Sequence, residues 1–95
     1  IFGPVLVVIP AADEAEAVRL ANDSDYGLAG SVFTADTERG FDIATRVRAG
    51  TFGINEGYMN DPAASFGGVK GSGYGRELGR EGLESYLDTK SISGA

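Results

Sequence analysis

Residues 65–82 read SFGGVKGSGYGRELGREG, and seven of the eighteen are glycine: Gly67, Gly68, Gly71, Gly73, Gly75, Gly79 and Gly82. Each glycine costs conformational entropy on folding and suits places where the backbone needs positive φ or a close neighbour. Between them stand Phe66, Val69, Lys70, Tyr74, Arg76, Glu77 and Leu78, which is not the Ser-rich composition of a flexible linker. The stretch therefore reads as a loop wound tightly against something.

Upstream of it the chain has the punctuation of alternating strands and helices. Residues 5–9, VLVVI between Pro4 and Pro10, form a short apolar run that predicts a strand buried on both faces. Asp13 is placed to cap a helix over 14–21, with Ala17, Leu20 and Ala21 at helical spacing and Asn22 at its end. A turn at 23–27 leads to a second predicted strand over 30–34. Asp36 caps a second helix over 37–48 with Phe41, Ala44 and Val47 as its inner stripe, and Gly50 follows where a left-handed residue is usual. Residues 51–55 give a third strand, 79–87 a short helix burying Leu83, Tyr86 and Leu87, and 89–93 a last strand. The predicted fold is α/β: a parallel β-α-β-α-β unit followed by a terminal strand. Three parallel strands leave edges and a face uncovered, and the chain opens IFGP without an initiator Met, so a piece of a longer protein is expected.

Composition narrows the function classes. Of 14 acidic and 8 basic residues, ten acidic and four basic fall at or before Ser65, and the remainder is balanced. The net charge of −6 argues against nucleic acid as a partner. Neither cysteine nor histidine is present, which removes disulfides, a thiol nucleophile and the commonest metal ligand and general base. No apolar run has membrane-spanning length and no signal-peptide pattern occurs, so no membrane partner and a cytoplasmic location are expected.

Within the Gly-rich stretch the glycine spacing departs from the dinucleotide fingerprint, and the P-loop ending is absent. Glu77 is either a member of an acid–base network or a charge complementing a helix start. Phe2 and Phe66 each adjoin glycine, and each either walls a ligand pocket or packs in a core. Asn55, at a strand end, either meets a ligand or makes an Asx turn, and Lys70 reads as solvent-facing.

The segments IFGPV at 1–5, Ala21-Asn22, YGLAG at 26–30, Val32-Phe33-Thr34, Ala49-Gly50-Thr51 and Asn55 resemble the aldehyde dehydrogenase superfamily. Phe66-Gly67-Gly68-Val69-Lys70, Ser72-Gly73 and Gly75-Arg76-Glu77-Leu78-Gly79 are similar to its C-terminal signature, and the matches run in order over essentially the whole chain. The resemblance implies the last fifth of such an enzyme, with 1–87 the C-terminal portion of the catalytic domain and 88–95 an oligomerisation strand. It implies NAD(P)-dependent oxidation of an aldehyde to a carboxylic acid through a cysteine adduct, with nucleophile and general base outside these residues. By the same resemblance Phe2 packs near the nicotinamide, Phe66 and Asn60 line the aldehyde tunnel, and Glu77 joins a charge relay. Lys70 and Gly73 fall at positions whose carbonyls bind potassium in some members. The partners implied are the aldehyde, the rest of the dehydrogenase chain and further copies joined through the terminal strand. The family's Pro before Phe-Gly-Gly is here Ser65, which loosens the loop entering the tunnel. Two other readings fit the residues: a semialdehyde dehydrogenase, and a non-catalytic interaction module. The 95 residues alone are expected to be catalytically inactive.

Overall fold

The structure, a computed structural model, describes residues 3–57 and 61–94. Its centre is a parallel β-α-β unit. Strand β2 (Ala29–Val32) leads to helix α2 (Thr37–Arg46), which returns the chain to β3 (Thr51–Ile54), with Ala29 opposite Thr51 and Val32 opposite Ile54. The Asp36 carboxylate accepts from Arg39 N–H and starts α2, as its position before an acidic first turn predicts. Gly40 lets α2 lie flush on the strands: a Cβ there would stand 2.8 Å from Ile54 Cγ2. The inner face of α2 is Gly40, Ile43, Ala44 and Val47, whereas Phe41 is exposed, so the expected stripe is rotated by about one residue. The helix ends at Arg46 with Val47 extended (φ −89°, ψ 125°), so Gly50 is not its left-handed terminator.

Helix α1 (Glu14–Asn22) is capped by Asp13, which accepts from Glu16 N–H. It is tied to the unit by polar groups at its two ends. At its start Glu14 pairs with Arg39 and Arg46, and Arg46 also reaches Asp42 at 2.7 Å. At its finish the Asn22 side chain donates to Arg46 O (2.8 Å) and accepts from Arg48 N (2.7 Å). Between these ties the helix stands off, leaving a cleft of about 280 Å³ lined by Ala17, Val18, Ala21, Ile43, Val47 and Phe52.

A second, two-stranded antiparallel ladder joins β1 (Tyr26–Gly27) to β4 (Val69–Lys70), with Tyr26 opposite Lys70. Helix α3 (Gly79–Glu84) follows the Gly-rich loop. The α/β architecture thus agrees with the sequence reading, and β2–α2–β3 realises its parallel crossover. Three further expected features differ. Residues 5–9 form no strand: Val5, Leu6, Val7, Val8 and Ile9 lie 63–86% exposed, because no edge within the described chain receives them. The helix at 79 ends at Glu84, and Leu83, Tyr86 and Leu87 are exposed rather than buried. Residues 89–93 make no ladder in the single chain, and Ile92 is exposed. These splayed ends give a radius of gyration of 17.1 Å, against about 12 Å for a compact domain of this length.

Among the described residues the buried positions are Gly27, Gly40, Thr51, Gly53, Gly67, Gly68 and Gly82. Six of these seven are glycine, so the interior is made by backbone approaching backbone. Gly50 shows why: a Cβ there would fall 1.7 Å from Gly67 O, so the end of the β2–α2–β3 unit touches the Gly-rich loop directly.

Candidate functional site

The Gly-rich loop is a closed structure of residues 66–77. Its base is a reciprocal bridge, with Phe66 N–H donating to Glu77 O (2.7 Å) and Glu77 N–H to Phe66 O (2.8 Å). Its tip is a pair of turn bonds, Ser72 N–H to Val69 O (3.2 Å) and Gly73 N–H to Lys70 O (3.1 Å). The loop is seated on the remainder of the chain by Gly71 N–H on Asp25 O (2.8 Å) and by Gly27 N–H on Ser72 Oγ (3.0 Å).

Lys70 is not solvent-facing. Its ammonium donates to Asn22 O and Ser24 O, both at 2.9 Å, and so caps the C-terminal end of α1, where a cation meets the negative end of the helix dipole. The half-buried side chain thereby joins the loop to α1. Asn55 sits in the left-handed region (φ 58°), and its Oδ1 accepts from Thr34 N–H at 2.7 Å. Of its two readings the structural one is realised: the side chain closes the ends of β2 and β3.

Strained backbone gathers beside the loop base. Leu78 follows Glu77 with φ 58° and ψ 175°, a region nearly confined to glycine, and Gly79 continues at φ 58°. The strain is held by Gly79 N–H on Pro62 O (3.0 Å) and Gly82 N–H on Leu78 O (2.9 Å). Glu77 is held by its main chain through the Phe66 bridge, and the residue is exposed. It precedes α3 rather than entering it, and the acid in that helix's first turn is Glu81.

Phe66 and Glu77 border one cleft of about 370 Å³ with Leu28, Ser72 and Arg76. The two-bond bridge sets an aromatic residue and a carboxylate residue opposite each other on the border of this cleft. Among the described residues no group of three or more His, Cys, Asp or Glu is placed to hold a metal ion.

Comparison with known proteins decides the family. The sequence model of the aldehyde dehydrogenase family matches residues 1–92. The chain belongs to that family.

Geranial dehydrogenase of Castellaniella defragrans is 54% identical over 92 residues, covering 97% of this chain and 19% of that enzyme. Betaine aldehyde dehydrogenase of Bacillus subtilis is 47% identical over the same share of both. Among solved structures, a Mycobacterium tuberculosis aldehyde dehydrogenase complexed with NAD+ superposes with a TM-score of 0.83 at 54% identity, covering 87% of this chain and 17% of that one. A point mutant of Staphylococcus aureus betaine aldehyde dehydrogenase in complex with NAD+ gives 0.90 at 49%, covering 93% and 18%. The chain spans about a fifth of the length of the curated relatives it matches.

Of the residues singled out for this aldehyde dehydrogenase chain, the structure brings Phe66 and Glu77 together and sets Lys70 and Gly73 at the loop tip. Phe2 and Asn60 lie outside the described residues. Sequence reasoning assigned no such role to Arg76, Ser72, Thr51 or Asn22: the last three hold main-chain groups outside their own elements, and Arg76 holds one across its own loop. Asn22 had a signal, a carboxamide at a helix end, but its partners 24 and 26 residues away had none.

Proposed function

We propose that the chain supplies the aldehyde-facing loop of an NAD(P)-dependent aldehyde dehydrogenase, an oxidoreductase that turns an aldehyde into a carboxylic acid through a cysteine adduct. The observation that carries the reading is the Phe66–Glu77 bridge on the rim of one cleft, in a chain of this family. Phe66 bounds the apolar side of the cleft and takes the hydrocarbon part of the aldehyde. Glu77 stands where its carboxylate accepts a proton handed on through water, in a relay whose other members lie outside these residues. With no cysteine and no histidine, the 95 residues by themselves form no thiol adduct, and we expect them to yield no aldehyde-dependent NAD(P)H absorbance.

When bound, the nicotinamide supplies hydride acceptance. Among the described residues, the turn from β2 to α2 is a strand-to-helix turn, but it carries no glycine and Asp36 already fills its helix start. By the family resemblance, cofactor contact in this chain is assigned to Phe2, which lies outside the described residues. The same proposal takes residues 1–87 as catalytic-domain sequence and 88–95 as a strand that extends the sheet of a second copy, with Asn60 at the tunnel and a cytoplasmic setting, where thiols stay reduced. Potassium would meet the carbonyls of Lys70 and Gly73, of which the first already accepts from Gly73 N–H.

In the intact enzyme, Phe66→Ala is expected to raise KM for the aldehyde roughly tenfold and to shift preference among aldehydes. Glu77→Gln is expected to lower kcat and change its pH profile while the fold persists. An effect of Phe66→Ala confined to NAD(P) affinity would overturn the reading.

A further inference from the structure

Loop 66–77 contains five glycines and is bonded main chain to main chain at its base and at its tip. Between those ends the Arg76 side chain bridges its two limbs. Arg76 Nη1 donates to Gly68 O on the outgoing limb (2.7 Å) and to Tyr74 O (3.2 Å) and Gly75 O (2.9 Å) on the returning limb. A second observation agrees. A Cβ on Gly67 would fall 2.2 Å from Gly75 O and 2.7 Å from both Arg76 Cδ and Arg76 Nη1, so the returning backbone and the arginine together occupy the space a side chain at 67 would take. The guanidinium is half-buried, and none of the ion pairs among the described residues includes it. The bonds from its Nη1 all go to backbone carbonyls, from a planar, always-charged group that a lysine does not reproduce.

We infer that Arg76 is the positioning residue of the aldehyde-facing loop: it ties the two glycine limbs together and thereby fixes Phe66 across from Glu77. Glycines have the most backbone freedom to lose, so without that tie the limbs separate and the aromatic wall drifts from the carboxylate. The inference rests on the functional reading above for its kinetic consequence, but its structural half stands independently.

The test uses the intact enzyme with Arg76→Ala, Arg76→Lys and Phe66→Ala. Hydrogen exchange is read at the loop amides, and KM for aldehyde and for NAD(P) is read separately from kcat. With Arg76→Ala, exchange should quicken by about tenfold or more at Phe66, Gly73 and Glu77 and stay unchanged in α2. KM for the aldehyde should rise about tenfold, with a smaller change in kcat and in KM for NAD(P). Millimolar guanidinium, well below denaturing concentration, should restore part of the aldehyde affinity, and Arg76→Lys should fall between wild type and Arg76→Ala. Unchanged loop exchange in either Arg76 variant overturns the inference, as does an aldehyde KM that rises in Phe66→Ala but not in Arg76→Ala. If the Ala variant does not fold, Arg76→Lys carries the same exchange and KM readings. Quickened exchange with an unmoved aldehyde KM in all three variants would leave Arg76 as the tie and overturn the placing of Phe66 at the substrate.

Discussion

The middle of the molecule and its two ends are built by opposite means. In the middle, β1, β3 and loop 66–77 meet through Gly27, Gly50, Gly67 and Gly68, with backbone carbonyls where side chains usually stand. At the ends, residues 5–9 and Leu83, Tyr86, Leu87 and Ile92 carry large apolar side chains and leave them 63–88% exposed. Burying such side chains is the main source of folding free energy, at about 25 cal/mol per Å². The ends therefore hold association potential unused by the single chain, while the middle holds the geometry that the candidate site needs. The loop's shape follows from main-chain contacts and the Arg76 tie, all within the described residues.

The sharpest way to break this comparison is at its tightest glycine. Gly50→Ala would set a methyl 1.7 Å from Gly67 O and 2.6 Å from Gly67 C, both backbone atoms that cannot swing aside. A loss of about 3 kcal/mol or more is expected in urea unfolding of the intact protein. An unchanged midpoint would mean that the loop does not sit on β3. At the other kind of region, Val7→Ser should cost about 2 kcal/mol in the intact protein, the value of a covered valine. Within this chain Val7 is 75% exposed, and its contacts here predict under about 0.5 kcal/mol. The smaller figure, if measured, would show that residues 5–9 stay bare in the assembled enzyme too.

A milder probe of the middle is Thr51→Val. The Thr51 hydroxyl donates to Leu28 O (3.1 Å), which also accepts Thr51 N–H (3.2 Å), so the carbonyl keeps one partner and the loss should be about 1 kcal/mol. The smallest effect belongs to Glu14. Hydrogen bonds from Arg39 and then Arg46 hold its carboxyl below the usual glutamate range. A depressed folded-state value means that its stabilisation is fully present above the ordinary value, roughly pH 4.3, and is lost as pH falls through the folded one. The melting-temperature gap between wild type and Glu14→Gln should therefore close as pH is lowered from about 5 toward 3. A gap that stays constant would show that the two arginines do not act on this carboxylate.

The sequence made some of these features legible and hid others for definite reasons. Asp13 and Asp36 cap their helices as expected because capping is settled within three residues. The β2–α2–β3 crossover follows from the same short-range periodicity. Residues 5–9 read as a buried strand because their composition suits one, yet a strand exists only with an edge to pair with, and no described edge of this chain receives them. Phe41 outweighs Gly40 on any apolar scale, so the stripe on α2 was placed by size. The structure instead turns the small residue inward because the helix must come within contact of Ile54. Gly50 follows a helix and invited a local explanation, but its reason lies in Gly67. In the site, the pattern around Phe66 and Glu77 marked a shaped loop. The roles of Lys70 and Arg76 were invisible because their acceptors are main-chain carbonyls, which every residue possesses.

The seating of the loop also bears on the order in which the chain assembles. Ala29 and Thr51 find each other across one helix, but Gly27 and Ser72 are 45 residues apart, and Asn22 and Lys70 are 48 apart. During synthesis the β2–α2–β3 crossover has all its residues once Ile54 has left the ribosome, some twenty before the loop is complete. Seating loop 66–77 spans a longer stretch of chain than closing the crossover, and that span adds only slowly to the entropy of closure. The Phe66–Glu77 bridge is accordingly among the last contacts of the described residues for which both partners exist, since it needs Glu77 as well as Phe66.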